Sequence, residues 1–199
     1  MALRGNPPTE GLGAALGAEC ACGRTGARLA VGSVRYAGGL IRVLPYDTTW
    51  PEQFAVERDR LVAALAATAV RIEHVGSTAV PGLAAKPWID IQLEVPRLEQ
   101  FDAYGPALFA LGYQHHPDDG DHEFFDRRPY HVHVCQAGGT WSRRTLAFRD
   151  LLRRDPATRL AYEVEKRRLA AMFDDVEQYT QAKTPFIQGV QPPEADWPS

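Results

Sequence analysis

The chain has 199 residues, 45% of them hydrophobic and 24% charged, with a formal net charge of −3. This is the composition of an ordinary globular protein of one domain plus extensions, and its mild acidity argues against a surface that coats nucleic acid generally. No apolar run approaches the ~20 residues that span a bilayer, and an odd count of three cysteines, with Cys20 and Cys22 too close for an ordinary disulfide loop, fits a reducing cytoplasm.

The first 39 residues hold 9 of the 17 glycines and no Lys, Phe or Trp. They carry no sustained helical or strand period and read as a disordered extension, 1–39, ahead of a domain at 40–190 and a tail at 191–199. Their charged, Gly-interrupted pattern lacks the apolar centre of a signal peptide. The Cys20/Cys22 pair has no further ligand near it in sequence, and an over-long start, with the functional chain beginning near Ile41, is the expectation.

Ile41 to Leu44 reads as a short strand. Thr49 with Glu52 three residues on is a capping-box pattern, and Pro51 is tolerated in a first turn; the helix that follows puts Phe54, Leu61, Val62 and Leu65 on one stripe. Val70 to Val75 and Trp88 to Val95 are strands joined by a Gly/Pro loop, and Pro96 ends the second. A helix is expected from about Leu98 to Leu111, broken at Gly105-Pro106 and stopped by Gly112. Tyr113 to His116 and Glu123 to Asp126 look like short strands around a turn at 117–121. Residues 126–129 look like a hairpin turn into a strand from Tyr130 to Cys135. From Trp141 the pattern is helical in three pieces. The first runs to Arg154 with Trp141, Phe148 and Leu152 on one stripe, the second from an Asp155-Pro156 cap to about Phe173, and the third from Asp175, with Tyr179, Phe186 and Ile187 facing inward. A mixed sheet with flanking helices and a C-terminal helical part is an α+β fold.

Chemistry concentrates between His74 and Glu94. Gly76-Ser77-Thr78 is a small-residue turn whose backbone N–H groups can close on a phosphate. In the strand after it, alternation puts Ile89, Ile91, Leu93 and Val95 on one face and Asp90, Gln92 and Glu94 on the other. Oxygen ligands on one face beside a phosphate-sized turn suit a Mg²⁺–nucleotide site. The plainer reading makes Asp90 a buried carboxylate that ties the loop by hydrogen bonds, and Glu94 a solvated strand end. His131, His133 and Cys135 alternate away from Tyr130, Val132 and Val134; two His at i and i+2 can share a metal or a phosphate, or one is an ordinary core or edge residue. Lys86 can reach a phosphate chain as a point charge, or face solvent before Pro87. His74 is expected to hydrogen-bond the loop. His115, His116 and His122, among Asp118, Asp119, Asp121 and Glu123, read as a solvated turn, and Arg127-Arg128 as a charged hairpin tip.

The loop and strand from His74 to Glu94, together with Leu44-Pro45-Tyr46-Asp47-Thr48-Thr49-Trp50-Pro51, Tyr130-His131-Val132-His133-Val134, Leu146-Ala147-Phe148-Arg149-Asp150-Leu151-Leu152-Arg153 and Tyr179-Thr180-Gln181-Ala182-Lys183, resemble the GrpB family of the nucleotidyltransferase superfamily. The resemblance implies a minimal nucleotidyltransferase fold in which Gly76, Ser77 and Thr78 cradle phosphate and Asp90 and Glu94 hold metal. His131 or His133 would complete the site where a third carboxylate stands in that superfamily. Gln92 occupies the position where active members carry a second carboxylate, and an amide oxygen is the weaker Mg²⁺ ligand. Arg149 and Lys183 fall in the family's Phe-Arg-Asp and Tyr-Thr-x-x-Lys motifs, which implies positive charge for phosphates; the plainer reading is an ion pair with Asp150 or a nearby Glu. The implied activity is Mg²⁺-dependent transfer of a nucleotidyl group from a nucleotide to a small acceptor, with Asp90, Gln92 and Glu94 on the metal. One alternative is a catalytically degenerate nucleotide- or CoA-related binding domain, since relatives of the family occur fused behind dephospho-CoA kinase. Another is a metal-dependent hydrolase using His131 and His133. The expected partner is a small-molecule nucleotide, with no membrane and no general nucleic-acid binding.

Overall fold

The computed structural model describes residues 41–117 and 120–198; the extension read at 1–39, with its two cysteines, lies outside them. Five strands make one mixed sheet: β1 (Arg71–Val75), β2 (Ile89–Val95), β3 (Gln114–His116), β4 (His122–Arg127) and β5 (Tyr130–Gln136), in the order β1-β2-β5-β4-β3. The central pair β2 and β5 is parallel and the other neighbours are antiparallel. The parallel register sets Asp90 beside His131, Gln92 beside His133 and Glu94 beside Cys135. Because side chains alternate along each strand, one face of the sheet is apolar and the other carries these polar groups.

The apolar face holds Ile89, Ile91, Leu93, Phe125, Val132 and Val134, closed over by α1 (Trp50–Leu65) and α2 (Gly105–Ala110) through Trp50, Leu61, Leu65 and Leu108. Each such side chain stabilises the fold by roughly 1.5–3 kcal/mol when fully buried. Over the polar face run α3 (Thr140–Arg154), α4 (Pro156–Ala170), α5 (Val176–Ala182) and α6 (Thr184–Val190). They gather round the loop between β1 and β2, where Val80 and Leu83 pack with Leu152, Tyr162, Phe148, Phe186 and Ile187. The architecture is α+β, a mixed sheet with flanking helices and a helical C-terminal part.

Two predicted caps form. Asp155 accepts from the N–H groups of Ala157 and Thr158 at 2.9 and 3.3 Å, and Asp175 from that of Gln178 at 2.9 Å. Thr49 does not cap α1, because its N–H and hydroxyl both donate to Asp47, each at 2.8 Å. Val62 is exposed rather than on the buried stripe. The helix expected from Leu98 shrinks to a single turn at Phe101–Ala103 followed by α2, and Gly105-Pro106 begins α2 instead of breaking it, since proline lacks only an N–H that a first turn leaves unused. The final helix divides at Lys183, with Pro185 in the first turn of α6, and α4 ends at Ala170. Ile41 to Leu44 contributes only the bridge from Leu44 to Ala85. Residues 191–198 dock on α3, where Arg143 bonds Glu194 and sits 5.7 Å from the Trp197 ring. No described helix is long and apolar enough to cross a membrane.

Three polar groups read as solvent-facing are drawn inward. His115 and His116 lie on β3 and meet Glu123 and Asp126 at 2.7 and 2.5 Å, while His122 opens β4 and stacks on Trp141 at 4.6 Å. Arg127 is the end of β4, not a hairpin tip: it lies between the Tyr113 and Tyr130 rings, at 5.1 and 5.0 Å, and pairs with Glu57 at 2.6 Å. Glu57, 1% exposed on α1, also accepts from the Tyr113 hydroxyl at 2.9 Å and from Arg60 at 3.0 Å. A carboxylate this deep requires such partners, and removing it strands the guanidinium. Glu57→Ala is therefore expected to cost about 3 kcal/mol of stability, read as a lower midpoint in urea denaturation.

Candidate functional site

At the end of the sheet where the β1–β2 loop meets α3, α4 and α6, a cleft of about 530 Å³ opens, lined by Gly76, Ser77, Asp90, Phe148, Leu152, Tyr162, Lys183 and Ile187 among others. Its polar end is built on one close approach. Gly76 has φ +67°, and a Cβ placed there falls 2.2 Å from Oδ2 of Asp90. Glycine alone satisfies both the backbone conformation and the contact. On the other side of the carboxylate, Oδ1 of Asp90 lies 3.1 Å from Nδ1 of His131 and 4.0 Å from Nε2 of His133. Burial alone would raise the Asp90 pKa, but the hydrogen bonds and charge of the two imidazoles outweigh it and hold the acid far below the usual carboxylate range. Asp90 is thus an ionised carboxylate at the cleft, with its side chain 28% exposed. Trp88 stacks on His131 at 4.3 Å and fixes the ring plane.

The loop is braced from beneath. Burial pushes the His74 imidazole down to about 4, against the pull of Asp90, so it is neutral at ordinary pH. Its Nε2 lies 3.0 Å from the Thr78 hydroxyl, which itself donates to the Trp88 carbonyl at 3.0 Å. Thr78, expected among the phosphate ligands, is buried and spends its hydroxyl inside the loop. From α3, Arg153 donates twice to the Ala79 carbonyl, at 3.0 and 2.8 Å. Arg149 lines the cleft but is engaged with Asp150, Glu73 and the His74 carbonyl, at 2.8, 2.8 and 3.0 Å, so it serves as a brace between α3 and β1.

Three ammonium groups converge on the same end. Lys166 of α4, 2% exposed, donates to Oγ of Ser77 at 3.0 Å and to the Ala84 carbonyl. The Tyr162 ring stands 5.0 Å from the same ammonium. Burial, then the charge of Lys183, pushes Lys166 down to about 7. Lys183, at the junction of α5 and α6, stands 4.8 Å from the Tyr179 ring and is pushed down to about 8 by burial and then by Lys86. Lys86 stands 5.3 Å from the same ring and is lowered by burial, with Asp90 pulling the other way. Sequence reasoning missed Lys166. The available signal was its spacing with Tyr162 and Leu169, i, i+4 and i+7 on the buried face of α4.

Gln92 and Glu94 share the face of Asp90 but not its cleft. Nε2 of Gln92 donates to Glu94 and to Ser142 of α3, both at 2.9 Å, and the Ser142 hydroxyl donates to Glu94 at 2.7 Å. With Gln92 wholly buried and Glu94 only 4% exposed, this triangle fastens β2 to α3. The donors expected to hold Mg²⁺ together therefore do not converge: Glu94 is occupied, Gln92 is an amide, and Asp90 is held by imidazoles. Among the described residues no three His, Cys, Asp or Glu side chains form a metal-binding group. The residues present do not fit the metal pair that nucleotidyl transfer in this fold implies.

A mixed sheet with one ionised carboxylate against a Gly-Ser turn, closed by helices that bring cations to that turn, makes this an α+β domain with a positively charged cleft at one end of the sheet. The chain belongs to the GrpB family: the model described as GrpB protein matches residues 40–192, and placement in the nucleotidyltransferase superfamily is consistent with that membership. A UPF0157 protein of Streptomyces coelicolor is 38% identical over 149 residues, 73% of this chain and 80% of that protein. The UPF0157 protein YqkA of Bacillus subtilis is 32% identical over 164 residues, 79% of this chain and 48% of its own length. A dephospho-CoA kinase of Mycolicibacterium paratuberculosis is 30% identical over 189 residues, with 79% and 46% covered. The chain thus spans about half the length of these last two. The crystal structure of conserved protein GrpB from Enterococcus faecalis superposes with a TM-score of 0.67 at 33% identity, covering 74% of this chain and 93% of that one.

Two outcomes follow from this geometry. Gly76→Ala is expected to lose about 1–3 kcal/mol through backbone strain and to displace Asp90 from His131, seen as a lowered urea midpoint and a shifted His131 imidazole resonance. Lys166 binds its proton more weakly folded, at about 7, than unfolded, at 10.5. The unfolded chain therefore holds more protons in that window, and this group makes stability rise with pH from about 7 towards 10.5. Lys166→Met should flatten that rise in denaturation curves taken across the window.

Proposed function

We propose that the cleft binds a nucleotide- or CoA-type small molecule, its phosphate end on Gly76, Ser77 and the lysines, its apolar part against Phe148, Leu152 and Ile187. In this reading the protein is a cytoplasmic binding or accessory domain that keeps the nucleotidyltransferase fold without its paired-metal chemistry. The observation that carries it is the contrast within one face of the sheet. Cations converge at the Gly-Ser turn, while Glu94 and Gln92, expected as second ligands, are tied to Ser142. Ser77 accepts from Lys166 at 3.0 Å, which sets an ammonium against the turn where a phosphate oxygen would lie. The similarity to a chain named dephospho-CoA kinase supports a CoA-type ligand alongside nucleotides.

Nucleotidyl transfer is the second reading, favoured by one feature: Asp90 is ionised and faces the cleft. There Asp90 would orient the acceptor hydroxyl and the lysines would neutralise the phosphates.

Isothermal titration of the folded chain with ATP, CTP, GTP, UTP, CoA and dephospho-CoA tests the proposal. At least one is expected to bind with Kd on the order of micromolar, with no pyrophosphate released across a panel of small acceptors. Lys183→Ala should weaken that binding about tenfold, or 1.4 kcal/mol. Absence of binding to all six ligands would sink the proposal, and pyrophosphate release would turn it to the transferase.

A further inference from the structure

Every lysine of this chain stands at one place. Of the 22 Lys and Arg residues only three are Lys, at 86, 166 and 183, and the other 19 are Arg. An ammonium is a compact point charge with three rotatable donors, whereas a guanidinium is a planar fork suited to fixed partners. The arginines near the cleft behave as forks: Arg149 is committed to Glu73 and Asp150, and Arg153 to the Ala79 carbonyl. The lysines are not so committed. Lys166 bonds Ser77 and a carbonyl, and Lys86 and Lys183 both stand over the Tyr179 ring. Among the described residues none of the three forms an ion pair with a carboxylate.

Cations drawn out of water without a counter-anion are costly. Asp90, the carboxylate at the cleft, is already taken by His131 and His133, and Glu163 of α4 is bonded by Arg167 and the Ala84 N–H. The cleft end therefore carries an excess of positive charge. Such a site attracts a polyanion and repels a divalent cation. We propose that the three lysines do here what metal ions do elsewhere in this fold, so that the cleft takes the polyphosphate end of its ligand free of Mg²⁺. This rests on the reading that the ligand is a phosphorylated small molecule.

A second consequence gives an independent readout. Lys166 faces Glu163, Arg167, Lys183 and Asp90, and Lys183 faces Lys86 and Asp90. Their proton affinities are depressed by burial, and a bound polyanion restores them. Binding near pH 8 is therefore accompanied by proton uptake.

The test is isothermal titration of the full chain with inorganic tripolyphosphate and with ATP, each in excess EDTA and in excess MgCl₂. Binding of the phosphate ligand is expected in EDTA, with affinity unchanged or up to about tenfold weaker in MgCl₂, because Mg²⁺ cancels ligand charge. In EDTA, Lys183→Gln and Lys86→Gln, both at partly exposed positions, should each weaken it about tenfold. Lys166→Met should do the same, with the Lys183 and Lys86 variants deciding the matter if it does not fold. Titrations at pH 8 in two buffers of different ionisation enthalpy should show net proton uptake, and its absence would count against the lysines. Binding of ATP only in MgCl₂ would overturn this inference while leaving the nucleotide reading intact. Tripolyphosphate binding in EDTA without ATP binding would uphold it and remove ATP as the ligand. Failure of both probes in both buffers would overturn the inference, while the six-ligand titration separately decides the wider reading.

Discussion

The contact between Gly76 and Asp90 is the constraint on which the rest of the site depends. A carboxylate oxygen lies where a Cβ would be, so the backbone of the turn and the side chain of β2 share one volume. The contact needs β1 and β2 paired antiparallel so that Val75 and Asp90 are opposite, and β5 paired parallel on the far side so that His131 falls beside Asp90. The loop that satisfies the first pairing then has to cross the cleft end of the sheet. There it is gripped by Arg153 at Ala79 and by both Glu163 and Lys166 at Ala84. Helices α3 and α4 are thereby registered against the loop through its backbone polar groups, which would be costly to bury unpaired.

The polar face of the sheet is divided between two uses. Next to α3, the Gln92 amide N–H groups and the Ser142 hydroxyl bond Glu94 and one another and give the helix a fixed seat on β2, while the buried Gln92 amide oxygen has no partner among the described residues. One step nearer the loop, Asp90 looks into the cleft, its charge maintained by two imidazoles. Three residues that alternate identically along one strand thus end in different environments, because α3 crosses the strand at Gln92 and Glu94 and the loop opens beside Asp90. The apolar face shows the same economy in Glu57, a buried acid that holds Arg127, Tyr113 and Arg60 together.

Much of the frame was legible locally. Period-two alternation located β2 and β5 and named the residues on each face, and Asp155 and Asp175 marked helix starts by their capping chemistry. Local rules failed where a neighbour in space competed. Asp47 took the Thr49 hydroxyl from its helix, Glu57 drew Arg127 out of an apparent hairpin tip, and Glu123 and Asp126 drew His115 and His116 out of an apparent solvated turn.

By itself, the sequence determined the alternation that puts Asp90, His131 and His133 on one side of the sheet, the Gly-Ser turn, the α+β class and the family. Those properties reside in short windows, where backbone geometry and side-chain periodicity act on neighbours in the chain. Only the tertiary structure decided that Glu94 is a fastening and Arg149 a brace, and that Lys166 reaches Ser77 from 89 residues away. The reason is physical: the charge state and freedom of an ionisable side chain depend on which distant groups share its burial, and no spacing along the chain encodes that.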